Sequence, residues 1–68
     1  MSTPKYPIIT VKLTGEDGNI FSIMGRITKM MRKSLVSKAS IDKFINEVTA
    51  SNSYDDALQV CIKWVNVI

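Results

Sequence analysis

Apolar residues recur at intervals of three and four through residues 20–33: Ile20, Ile23, Met24, Ile27 and Met31. That is the spacing of one face of an α-helix. Phe21 and Met30 widen this face. Ser22, Arg26, Lys29 and Lys33 form a second row at the same spacing on the opposite side, and Arg32 lies close to it. The pattern predicts an amphipathic helix with a cationic outer surface. Asn19 is the expected N-cap, because its side-chain oxygen can accept from a free backbone N–H of the first turn. Glu16 and Asp17 just before the start, and Arg32 and Lys33 at the end, complement the helix dipole. Gly25 sits mid-helix, where glycine costs about 1 kcal/mol relative to alanine. It reads either as a place where another element closes on the bare backbone or as a surface that a ligand or partner approaches closely.

On either side of this stretch the period changes. In residues 8–14, Ile9, Val11 and Leu13 alternate with Thr10, Lys12 and Thr14, which predicts a half-buried strand. Residues 15–18 read as a polar turn into the first helix. Ser37 can cap a second helix, with Ser40 as an alternative, and Val36 and Ile41 are placed to form a hydrophobic staple. Ile41, Phe44, Ile45 and Val48 mark the inner face of that helix, and Asp42 and Glu47 read as solvated groups outside it. Ser53 opens a third helix, with Asp56 three residues later as in a capping box. Its inner face is Tyr54, Ala57, Leu58, Cys61 and Ile62. Residues 64–68, WVNVI, are strand-like in composition, with Trp64 expected in the core.

The fold class expected is therefore α+β: a small strand–helix–helix–helix–strand domain with a two-stranded antiparallel sheet. The alternative is a third helix that runs to the end. Residues 1–7, with two prolines, a serine and a threonine, read as a flexible N-terminal arm, and residues 8–68 as one compact domain. A two-stranded sheet leaves open edges that invite pairing with another chain.

Composition narrows the setting. A chain of 68 residues buries only about 60% of its unfolded surface. It carries neither a disulfide framework nor metal-ligand clusters, so self-association is the expected way to bury more, and a homo-oligomer is predicted. Cys61 is the single cysteine; on an apolar helical face it reads as a small buried hydrophobe in a reducing, cytoplasmic setting. No run approaches the ~18 apolar residues that span a bilayer, and no signal peptide is recognisable, so no membrane role is expected. The net charge of +3 is compatible with an acidic partner.

Candidate chemistry is sparse. Histidine is absent, which removes histidine-based nucleophile pairs and metal ligands. Asp55 and Asp56 are neighbours on a helix and point in different directions, so they suit a helix N-terminus better than a paired acid and base. The turn at residues 15–18 lacks both phosphate-loop patterns and places two carboxylates where an anion would sit. It also offers too few oxygens for a calcium loop. A helix-turn-helix is disfavoured because its recognition helix would begin with two aspartates. No catalytic residue, metal site or cofactor is predicted, and the chain is not expected to be an enzyme. The best surface feature is the cationic row: Arg26, Lys29, Arg32 and Lys33, together with Gly25 and with Lys38 nearby. It reads as a solvated face or as a contact for nucleic-acid phosphate, an anionic small molecule or an acidic protein.

The run VKLTGEDGNIFSIMGRITKMMRK (residues 11–33), a short helix with an acidic start, and the closing CIKWVNV (residues 61–67) resemble a group of short proteins from phages, plasmids and bacterial genomes. The resemblance spans about residues 10–68. It implies a small accessory protein of a mobile element, of the kind that inhibits host machinery or sequesters a small molecule. The expected function is thus a non-catalytic binding protein that blocks or sequesters a host protein or small-molecule partner. The alternative is a nucleic-acid-binding protein that uses the basic face of the first helix.

Overall fold

A computed structural model of the chain describes residues 3–13 and 18–68. Its elements run β1 (Tyr6–Val11), α1 (Ile20–Lys33), α2 (Lys38–Thr49), α3 (Tyr54–Trp64) and β2 (Val65–Val67). The order is the one predicted, and the content is mixed α and β with a two-stranded sheet. The expected turn at residues 15–18 lies, apart from Gly18, outside the described residues, as do Thr14 and the first two residues of the expected arm. The rest of that arm is partly fastened: Tyr6 and Pro7 belong to β1, and the Lys5 amide donates to the Lys63 carbonyl at 3.0 Å.

The sheet is parallel, not antiparallel as expected, with Tyr6 opposite Val65, Thr10 opposite Asn66 and Val11 opposite Val67. Beyond β1 the ladder continues: Ile68 donates to the Val11 carbonyl at 3.0 Å, and Leu13 donates to that of Ile68 at 2.7 Å. The physical reason is connectivity. Antiparallel neighbours can be joined by a tight turn, whereas parallel neighbours need a long crossover, usually helical. Three helices separate these strands, and they supply that crossover. The register is broken between Tyr6 and Thr10. Pro7, which has no N–H to give a ladder, lies in that interval, and the Asn66 side-chain amide donates to its carbonyl instead.

All three predicted caps are present. Asn19 accepts from the Phe21 amide at 2.8 Å, Ser37 from Ser40 at 3.2 Å and Ser53 from Asp56 at 3.1 Å. Each short polar side chain satisfies a first-turn donor that the helix cannot. The inner faces meet in one core. Ile23, Ile27 and Met31 from α1, Ile41, Phe44 and Val48 from α2, Ala57 and Cys61 from α3, and Ile9, Val11 and Val65 from the sheet are buried together. Three residues assigned to inner faces stand outside. Phe21 is 70%, Tyr54 51% and Ile62 47% exposed, because each lies at the margin of its helical face, where neighbouring elements cover it only in part.

Trp64 joins the layers. It is the last residue of α3, Val65 begins β2 with no linker, and its ring is 2% exposed. The ring stacks on Tyr6 of β1 with centroids 6.0 Å apart and meets Phe44 of α2 edge-on at 5.6 Å. Lys5 Nζ lies 4.0 Å from its centroid. Its indole N–H donates to Glu47 Oε1 at 3.1 Å, so Glu47 is not the purely solvated group expected. A buried indole needs a partner for its one donor, and α2 provides it.

Gly25 is exposed, and among the described residues a Cβ built there meets nothing within 4 Å. Close approach by another described element is therefore not why glycine is present. Gly25→Ala should raise stability by about 1 kcal/mol through helix propensity, or about 4–8 °C in Tm for a domain of this size. Thermal unfolding followed by circular dichroism measures this. An unchanged or lowered Tm would mean that the bare backbone is needed for the fold.

Candidate functional site

The outward alternation of the first strand places Thr10 and Lys12 in solvent while Ile9 and Val11 turn inward. Alongside lies the cationic side of α1. At about 100° per residue, Arg26, Lys29 and Lys33 fall within one sector of the helix. The two elements enclose a hollow of about 300 Å³, with Lys12, Arg26, Lys29 and Lys33 around it and Val11 and Met30 as its apolar lining. Arg26 is half-buried, and the three lysines are exposed. Of the described residues that line it, none is acidic. Like charges gathered round one hollow repel one another, and an anion seated among them removes that repulsion. Arginine offers a planar fork of donors and lysine a mobile point charge, the two donor types that suit carboxylate or phosphate.

Only part of the sequence-predicted row is assembled here. Arg32 lies further round the helix and borders a different hollow, with Leu35, Val36, Lys38, Ile41 and Asp42, at the α1–α2 corner. Gly25 lines neither. Sequence reasoning missed Lys12. The signal was present in the strand alternation, which put Lys12 outside, but only the sheet's position beside α1 brings it to the row.

A third hollow of about 350 Å³ has a different character. Ile20, Phe21, Met24, Val48, Tyr54 and Ala57 line it with uncharged polar residues of the α2–α3 loop. The Tyr54 hydroxyl donates to the Gly18 carbonyl at 2.5 Å, which ties the start of α1 to the start of α3.

Cys61 is not placed as a nucleophile. Burial pushes the Cys61 thiol up from 9.0 to about 11, partly opposed by a hydrogen bond to its own backbone. A thiol so placed is protonated at neutral pH and a poor nucleophile. Asp55 and Asp56 are exposed in the first turn of α3. Among the described residues no group of three or more acidic, cysteine or histidine side chains could hold a metal ion, and no helix is long and apolar enough to cross a membrane. No protein-family model, curated protein or solved structure matches the chain.

The Cys61 shift sets an alkaline dependence. The unfolded thiol loses its proton near 9.0 and the folded one near 11. Between those values the folded state binds more protons than the unfolded state, so stability falls as pH rises through that window and levels off above it. Denaturant titrations of the wild type and Cys61→Ala across this range should show a steeper decline in the wild type than in the variant. In the folded protein at pH 8, thiol labelling should be far slower than for free cysteine; labelling at the free rate would contradict the burial.

Proposed function

We propose that this protein is a non-catalytic binding module, a small mobile-element accessory protein that sequesters or blocks a partner through an anionic group held in the hollow between the first strand and α1. One observation carries the reading: Lys12, Arg26, Lys29 and Lys33 converge on a single hollow with no acidic residue among its described lining. Its volume of about 300 Å³ lies at the small end of ligand sites, which run from about 300 to 1,000 Å³. That size suits a phosphate- or carboxylate-bearing small molecule, or one acidic side chain of a protein. A nucleic-acid backbone would need charges strung along a track, and the displacement of Arg32 to another hollow interrupts the row. The buried, protonated Cys61 supports the non-catalytic part. The likeness of residues 11–33 and 61–67 to phage and plasmid proteins supports the setting.

A thermal-shift panel of inorganic phosphate, nucleotides and dicarboxylates at low salt tests the site. A ligand at 100 times its Kd should stabilise the folded state by about 2.7 kcal/mol. Lys29→Ala and Lys12→Ala should each abolish most of the shift while leaving the unliganded Tm nearly unchanged, since both side chains are exposed. A flat response across the panel would contradict the small-ligand reading. Duplex binding that weakens steeply with salt would replace it with the nucleic-acid one.

A further inference from the structure

We propose that the α1–α2 corner is the contact face of a symmetric homodimer, in which Leu35 of one copy seats in the hollow beside Val36 and Ile41 of the other. Leu35 is unusual in two independent ways. It has φ 62°, the only non-glycine residue with positive φ among those described. There the Cβ of an L-residue crowds its own carbonyl, and a bulky side chain is rare. It is also 91% exposed. The conformation itself follows from how α1 ends. The Leu35 amide donates to the Arg32 carbonyl at 3.1 Å and the Val36 amide to that of Met31 at 2.9 Å. This paired closure requires a left-handed residue at position 35, where glycine is the usual choice. Neither the turn nor the core explains a leucine at that position. A strained residue kept at a fully exposed position points to what it contacts outside the chain.

The surroundings say what that contact is. Leu35 stands at the rim of a hollow of about 470 Å³ that includes Val36 and Ile41. A knob and its socket side by side on one face are what a two-fold axis requires, since it carries each knob to the other copy's socket. The charges on the same rim are self-complementary. Arg32 and Lys38 carry one sign and Asp42 the other, so the rotation can set the cations of one copy against the carboxylate of the other. An acidic foreign surface would face Asp42 with a like charge, and a basic one would face Arg32 and Lys38. Dimerisation would also bury apolar surface that so short a chain leaves in water. The inference does not depend on the anion-binding reading, because no residue lines both hollows.

Sedimentation equilibrium of the full chain from micromolar to millimolar protein tests it, paired with thermal unfolding in the dilute, monomeric range. The wild type should show a monomer–dimer equilibrium. Leu35→Gly should weaken association by about tenfold or more and at the same time raise the monomer Tm, because glycine relieves the strain. Arg32→Asp and Asp42→Arg should each weaken association, and the double variant should recover it. The proposal is overturned if the wild type is monomeric throughout, or if Leu35→Gly dimerises as well as the wild type. A Leu35→Gly monomer less stable than the wild type would also overturn it, since Leu35 would then serve its own chain.

Discussion

The burial of Trp64 holds the two ends of the chain in one structure. The ring belongs to the last turn of α3, it rests on Tyr6 near the start of the chain, it meets Phe44 of α2, and its N–H is held by Glu47. A large aromatic side chain buries on the order of 150–250 Å², a substantial share of the apolar surface available to a short chain. Because β2 follows the tryptophan without a linker, seating the ring also sets where the last strand begins. The two-stranded sheet, too small to be stable alone, is thereby fastened to the helical layer at its junction.

The direction of that sheet was not legible in the sequence, and the reason is physical. Alternation in residues 8–14 and the composition of residues 64–68 identify strands, but strand direction depends on the path between them, which is a property of the whole chain. The local features were legible. Asn19, Ser37 and Ser53 each announce a helix start through a short side chain that can reach a first-turn amide. The centres of the inner faces, Ile23, Ile27, Phe44 and Cys61, are fully buried as their spacing implied. The margins were not, because periodicity gives the middle of a face while its width depends on what packs against it. Phe21, Tyr54 and Ile62 are the consequence.

The same distinction governs the surface. The cationic row on α1 was visible as a helical period, and three of its members line one hollow. Lys12 joins them from the strand, a non-local juxtaposition. Arg32 departs to the α1–α2 corner because a helix carries it round by a further ~60° beyond Lys29. The result is a partition: a basic hollow on one side and, at the corner, a mixed-charge surface presenting an exposed leucine.

Amide hydrogen exchange at Lys5, Leu13 and Ile68 tests the interlock most directly. These three amides donate across from the beginning of the chain to its end or back. If the Trp64 junction and parallel pairing hold the ends together, all three should be protected and should open together with the core amides of α2 and α3. Free-peptide exchange at these sites, while the helices stay protected, would mean that the helical layer stands without the sheet, and the account would be wrong.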